Sequence, residues 1–543
     1  MSNCANQLPP GGGEIDKIPP HIEEIYPPEG TINFNEDYFE IGFSEYVEKR
    51  SVKEAIFISP AVEGELELDW SGKFVRVYFP DTLKQNITYV VTIGTDVVDY
   101  NNKNNMAEAY SFTFSTGPEI DKRIITGKVF DEKPQGVLLF AYLLKNGNPN
   151  PLEVKPDYIS QASANGDYKL AGLSAGNYRI FAVRDELRDL LFQPDQDQIG
   201  FPSKDVKLEE ADSLFTGLDF ILTKIDTVKP RLLTATMTDR DHILLNFSEE
   251  LNHETFFPKN FFLIDSTANR KVEMLYAFKG NTKPSEMVVV PSETLPIQNT
   301  VYLFVDSIKD VNGNVFTNDF VQVTLSDKPD TTKIELFNST PAEGSKDVDF
   351  LSSNYNFRFN DAFNYNLALT GVKFTDTSQM KIPFDIKFPD NASINITPLI
   401  RLEASKEYII GIDFSKLRDK SGNFTDTIYK YEFKTISGLD FTGVNGILDY
   451  PGEKKNLQLE LHSLDKAEKK YSISPRENKQ FSFERILPGK YLLFAYADAD
   501  SNKQFSEGGI TPFKFSEEFT FHSDTLNLRA RWIETDVRFK INK

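Results

Sequence analysis

Two sequence signatures recur down this chain, and the order in which they recur limits its fold more than any other feature. The first, signature A, is an apolar strand ending in Phe-Ser-Glu or a relative, a strand holding a lone Tyr, an Asp/Asn/Gly turn and a closing strand. It reads Phe43-Ser44-Glu45, Tyr89, Asp99 to Asn105 and Phe112-Thr113-Phe114. It returns as Phe247-Ser248-Glu249, Tyr302, Asp310-Val311-Asn312-Gly313-Asn314 and 321–325. A worn copy follows as Phe359-Asn360-Asp361, Tyr408, Asp419-Lys420-Ser421-Gly422-Asn423 and Tyr431-Glu432-Phe433. Signature B is Gly-Asp-Tyr-x-Leu-x-Gly-Leu-x-x-Gly-x-Tyr from Gly166 to Tyr178, with an echo from Phe481 to Tyr491. The order is A-B-A-A-B. A period of this size marks a tandem array of small domains rather than one large core.

These repeats divide the 543 residues into a lead segment, 1–17, and five modules: one (18–118, A), two (119–225, B), three (226–331, A), four (332–437, A) and five (438–543, B). Within them apolar residues alternate, as in Phe39-Glu40-Ile41-Gly42-Phe43 and Val75-Arg76-Val77-Tyr78-Phe79. Period-two alternation broken by Pro, Gly, Asn and Asp clusters predicts antiparallel strands with one buried face. The expected fold is all-β, a tandem array of five β-sandwich modules, with helix confined to single turns near 51–55 and 258–262. Short linkers near Pro118, 226–230, 327–332 and 437–440 predict abutting modules in an extended or curved rod.

Composition narrows the partners. Asp and Glu number 81 against 60 Lys and Arg, a net charge of −21, so a nucleic-acid phosphate backbone would be repelled. Phe and Tyr, 45 and 22, are the residues that fill sandwich cores. No apolar run reaches the roughly 18 residues of a membrane-spanning helix. Cys4 is the one cysteine, which excludes an internal disulfide and any cysteine-based metal site or thiol nucleophile within the modules.

The string Ile25-Tyr26-Pro27-Pro28-Glu29-Gly30 with Phe43-Ser44-Glu45 resembles the opening and strand end of bacterial Ig-like domains of the S-layer-protein type. That resemblance returns at 232–325 and again from Ser339-Thr340-Pro341-Ala342-Glu343-Gly344 to Lys434. The B modules open with Ile125-Thr126-Gly127-Lys128-Val129 and Val444-Asn445-Gly446-Ile447-Leu448, and both carry a Gly-x-Tyr step, at Gly176 and Gly489. They resemble carboxypeptidase-regulatory or transthyretin-like domains, a resemblance that implies small sandwiches that space or stabilise and hold no active site. The two glycines are expected in turns of positive φ.

Cys4 precedes Pro9-Pro10-Gly11-Gly12-Gly13, a composition that makes a flexible tether. The segment, with Glu14, Asp16, Lys17, Pro19 and Pro20, resembles the mature start of Bacteroidota outer-membrane lipoproteins with Ig-like domains. That implies lipid on Cys4 as the only attached group, anchorage to the outer membrane on its cell-surface face or alternatively its periplasmic face, and a leader upstream of Met1-Ser2-Asn3. Several acyl chains at about 0.8 kcal/mol per buried methylene hold a protein at a membrane durably.

Catalytic signals are weak. His21, His242, His253, His462 and His522 are scattered without metal spacing and read as surface residues. No Gly-x-Ser-x-Gly string set between a strand and a helix, and no phosphate-binding glycine loop, is present. One string, Asp498-Ala499-Asp500-Ser501-Asn502, spaces oxygen ligands as a calcium loop does, with Glu507 as a further candidate ligand. Lys503 and Gly509 stand where an EF-hand requires Gly and Glu, so a metal-free Asx turn is expected. The function expected is a non-enzymatic lipoprotein that scaffolds an outer-membrane β-barrel protein complex, in outer-membrane protein assembly, secretion or uptake. The alternative is a cell-surface adhesin or glycan-binding protein.

Overall fold

The structure, a computed structural model, describes residues 16–541 except 63, 145–146, 210–212, 253–256, 352–353, 451–455, 466–468 and 477. Cys4, its tether up to residue 15, and His253 lie outside the described residues. Among the described residues the chain is all-β, its α-helix confined to Lys49–Ala55 and Tyr365–Ala368, and its buried apolar side chains gather into several separate β-sheet modules.

Alternation builds the sheets as physical chemistry requires. Strand Tyr38–Phe43 buries Phe39, Ile41 and Phe43. Its outward Glu40 lies opposite Arg76 on the neighbouring strand and pairs with it at 2.6 Å. In module one a four-stranded sheet, ordered Ile22–Tyr26, Tyr38–Phe43, Phe74–Tyr78, Glu67–Ser71, covers a three-stranded sheet of Ile56–Ser59, Thr88–Ile93 and Tyr110–Ser115. Module four repeats this arrangement, with Leu336–Thr340, Tyr355–Phe359, Ser393–Pro398 and Phe384–Lys387 over Val372–Asp376, Glu407–Asp413 and Ile428–Lys434. Tyr89 and Tyr408 are buried at matching points, and each hydroxyl accepts the backbone N–H five residues upstream, from Lys84 at 2.9 Å and Glu403 at 2.8 Å.

Module three departs from that plan. Seven of its strands close into a barrel, because the ten-residue strand Arg270–Lys279 pairs with Phe261–Asp265 through one end and with Glu286–Pro291 through the other. Tyr302 is not the counterpart of Tyr89: Val301 fills the buried position and Tyr302 points outward. A shift of one residue reverses the face in a strand. Pro296, five residues before Val301, has no N–H to offer a buried hydroxyl.

Modules two and five share one plan. A central strand, Arg123–Phe130 or Thr442–Asp449, pairs antiparallel with Asp167–Leu173 or Gln480–Ile486. The module's last long segment pairs parallel with it, through Leu214–Thr216 and Phe220–Ile221, or through Ile533–Lys540. Tyr178 and Tyr491 each donate to the carbonyl four residues upstream, Ser174 at 2.9 Å and Leu487 at 2.8 Å. Gly176 and Gly489 begin the strands Gly176–Arg184 and Gly489–Ala497 instead of occupying turns. Gly176 has φ +155°, whereas Gly489 lies outside the positive-φ glycines and is kept small by the Asp465 carboxylate, 2.5 Å from where a Cβ would sit.

The expected rod does not form. The loop 498–518 of module five folds back onto module two, so modules two, three, four and five close a ring, with module one attached to module two. Ser516 binds module two twice, through its N–H to the Pro202 carbonyl at 3.0 Å and its hydroxyl to the Phe201 carbonyl at 3.0 Å. Lys204 pairs with Glu518 at 2.7 Å, and Phe130 packs against Phe521 with ring centroids 4.8 Å apart.

Candidate functional site

Three sets of residues carry chemistry that core packing does not account for: the joints between modules, carboxylate clusters at the start of A modules, and an exposed aromatic ladder.

Strand Leu138–Leu143 explains the first joint. Leu139 and Ala141 enter the core of module two, while Leu138, Phe140 and Tyr142 face outward into a second buried cluster. Phe57 from module one and Ile510 and Phe513 from module five cover that outer face. The Arg179 guanidinium lies 3.9 Å from the Phe513 ring centroid and is held by both oxygens of Asp205 at 2.7 Å. An unbroken apolar run of this kind marks a strand covered on both faces, and it was the sequence signal for the contact.

The joint between modules three and four is polar. His242 is buried there, not on the surface as its scatter in the sequence predicted. Its Nδ1 lies 2.9 Å from Asp239 and its Nε2 lies 2.9 Å from Asp361 of module four. Burial lowers its pKa, but the two carboxylates outweigh that and raise it to about 10, so the ring is an imidazolium bridging two modules. Beside it Lys420 pairs with Asp241 at 2.9 Å. At the joint of modules four and five, Arg485 sits 4.2 Å from the Phe350 and Phe441 ring centroids and pairs with Asp349.

The A signature brings three acids together. In module three Asp226, Glu249 and Asp310 each place an oxygen within 4.8 Å of the others, and Asp330 of the linker does the same with Asp361 and Asp419 of module four. They are the linker Asp, the acid ending the Phe-Ser-Glu or Phe-Asn-Asp strand, and the first Asp of the turn. Asn314 and Asn423 tie each cluster by donating from Nδ2 to the turn Asp, at 2.8 and 2.9 Å, and to the linker Asp carbonyl, at 3.1 and 3.3 Å. Burial, with the Asp226 and Asp310 carboxylates adding, pushes Glu249 up to about 7. Burial and the Asp361 and Asp330 carboxylates likewise push Asp419 above the usual range.

The calcium-like loop of module five is built differently. Asp498 and Asp500 do converge, but their third neighbour is Glu517, while Glu507 is exposed and apart from them. Asn502 donates its N–H to Asp498 at 3.0 Å and its Nδ2 to Asp500 at 2.8 Å. The N–H of Lys503 fills the second Asp498 oxygen, and those of Ala499 and Ser506 fill both oxygens of Glu517. These bonds make it an Asx-braced turn whose outgoing segment carries Phe513 and Ser516 to module two.

The ladder lies on the barrel of module three. Phe262, Phe304 and Phe320 stand opposite one another on three adjacent strands, with centroids 5.1 Å apart at both steps. Phe320 is 54% exposed, and Lys271 sits 4.4 Å from the Phe262 ring centroid. Among the described residues no helix is long and apolar enough to cross a membrane.

Comparison with known proteins places part of the chain. No curated protein matches it. Among solved structures, the N-terminal part of the bacterial S-layer protein SbsC is 14% identical, with 38% of this chain and 44% of that one covered and a TM-score of 0.18. A structure of SbsC domains 1–6 is 10% identical, covering 89% and 64% at a TM-score of 0.15. BcpA, the major pilin subunit of Bacillus cereus, is 9% identical, covering 78% and 100% at 0.13. The chain thus spans less than two thirds of the S-layer structures it matches. The family model described as bacterial Ig-like domain matches residues 16–116 and 330–435, and at those segments the chain carries bacterial Ig-like domains.

Proposed function

We propose that this chain is a non-catalytic scaffold of the bacterial outer membrane, held by lipid on Cys4 and built as five modules in A-B-A-A-B order. In this reading modules two and five are carboxypeptidase-regulatory-like domains, and the chain is a Bacteroidota lipoprotein facing the cell surface. It serves as a subunit of an outer-membrane β-barrel protein complex.

The aromatic ladder carries the reading. Phe262 and Phe304 occupy outward positions where a solvated sheet face would hold polar residues, and Phe320 extends the same row. An apolar row of stacked rings on an otherwise acidic molecule marks a surface made to be covered by protein. The ring of modules supports the same reading, since the contacts of modules three and four, four and five, and two and five limit how the ladder can turn.

Purification of the native lipoprotein in mild detergent tests it. The wild-type chain should carry a stoichiometric β-barrel partner, and Phe262→Thr/Phe304→Thr/Phe320→Thr should lose it while keeping its circular dichroism. A chain that purifies alone from native membranes and binds glycans would instead establish the adhesin.

A further inference from the structure

The acid clusters of modules three and four each gather three carboxylates and each leave one carboxylate oxygen buried without a hydrogen-bond partner among the described residues. Asp361 is 3% exposed, and its Oδ1 accepts from the Ala362 N–H at 2.6 Å and meets His242 at 2.9 Å. Its Oδ2 is buried with no hydrogen-bond partner among the described residues, and the residue belongs to the Asp330–Asp361–Asp419 cluster. A buried carboxylate oxygen without a donor is costly, and the usual remedy is a proton or a cation. In module three the equivalent acid repeats the defect, because Glu249 Oε1 is also buried and without a donor.

The two clusters are the same construction made twice. Asp226 and Asp330 lie in linkers, Glu249 and Asp361 end equivalent strands, and Asp310 and Asp419 open equivalent turns. Among barrel, sandwich and loop differences between these modules, the three acids and the Asn that ties them are kept in place. Module one carries the same residue types, Asp16, Glu45 and Asp99, while the close clusters form in modules three and four.

We propose that each of these two clusters binds one calcium ion, pinning the linker Asp to the module that follows it. The ligands are carboxylate oxygens alone, which suit a hard cation and not zinc or copper. Three carboxylates with water completing the shell meet the six to eight oxygens calcium takes. Acids held this close repel one another. Bound calcium would remove that repulsion and tie modules two to three and three to four.

Calorimetric titration of the EDTA-treated full chain with calcium chloride tests the proposal. Two equivalents should bind with half-saturation below about 1 mM, the range of extracellular modules, and the melting temperature should rise. Glu249→Gln and Asp361→Asn should each remove one equivalent, and the double variant should remove both and lose the melting shift. Glu249→Gln replaces a half-exposed residue, so its folding without calcium is the control. A folded wild-type chain with neither heat nor melting shift at about 10 mM calcium would overturn the proposal. So would undiminished binding by the folded double variant, which would move the ion to the module-five loop.

Discussion

At the scale of the residue, single polar groups decide which side chain a core position takes. Tyr89 and Tyr408 fit because a backbone N–H stands ready for each hydroxyl, and Val301 replaces tyrosine where Pro296 removes that donor. Tyr408→Phe should therefore leave the Glu403 N–H unpaired and lower stability by about 1–3 kcal/mol, whereas Tyr302→Phe should change it little. Denaturant unfolding distinguishes the two, and equal losses would contradict the assignment. His242 gives the pH prediction. Its pKa is raised from 6.5 to about 10, so its stabilising charge is complete below about pH 6.5 and lost as pH rises through about 10. The melting temperature should fall over that alkaline window. His242→Gln should flatten this slope and cost about 3–5 kcal/mol at neutral pH, because Asp239 and Asp361 would face each other without a cation. A variant that keeps the wild-type alkaline slope would assign the titration to another group.

At the scale of the element, backbones that approach closely show which glycines matter. Gly127 and Gly446 occupy matching points of the central B-module strands, where a Cβ would lie 2.0 Å from the Leu218 carbonyl oxygen and 2.2 Å from that of Val537. Backbone cannot rotate aside, so Gly446→Ala should cost about 2 kcal/mol or more. Gly489→Ala meets the Asp465 carboxylate, which can turn into solvent, and the Tyr491 ring at an ordinary contact distance of 3.4 Å, and should cost less. Chemical denaturation showing the reverse order would refute this account. Elements of this kind were legible in the sequence: alternation placed Tyr38–Phe43 and Phe74–Tyr78, the lone Tyr408 of signature A marked Glu407–Asp413, and the repeated signature marked bacterial Ig-like domains now matched at 16–116 and 330–435. The face of Tyr302 was not legible, because one-residue register in a strand depends on the partner strands and not on local pattern. The carboxylate clusters were missed for a related reason. Phe-Ser-Glu and Asp-x-Asn-Gly-Asn were each visible, but Glu249 and Asp310 are 61 positions apart, and only the fold brings them together. A signal was available in the joint recurrence of both motifs with a linker Asp.

At the scale of the whole molecule, the short linkers pointed to an extended array, and the fold closes instead because two strands of module two lack a solvated face. Leu138, Phe140, Phe181 and Val183 would leave an apolar surface beside Phe201 if module five were pulled away. Covering such a surface is favourable at about 25 cal/mol per Å2, and linkers pivoting at three joints do not offset it. The loop 498–518 supplies the cover, and its Asx bonds fix the geometry with which Phe513 and Phe515 meet Arg179. Small-angle X-ray scattering should give a radius of gyration closer to the roughly 24 Å of a compact chain this long than to an end-to-end array. Phe513→Ser combined with Glu518→Lys removes the apolar plug and turns the Lys204 pair repulsive, while leaving the module-five core untouched. That variant should keep its strand signal, gain in maximum dimension, and be cut faster by protease within 503–512. If the wild-type chain already scatters as an elongated array, or if the variant scatters as the wild type does, the contact between modules two and five does not close the molecule.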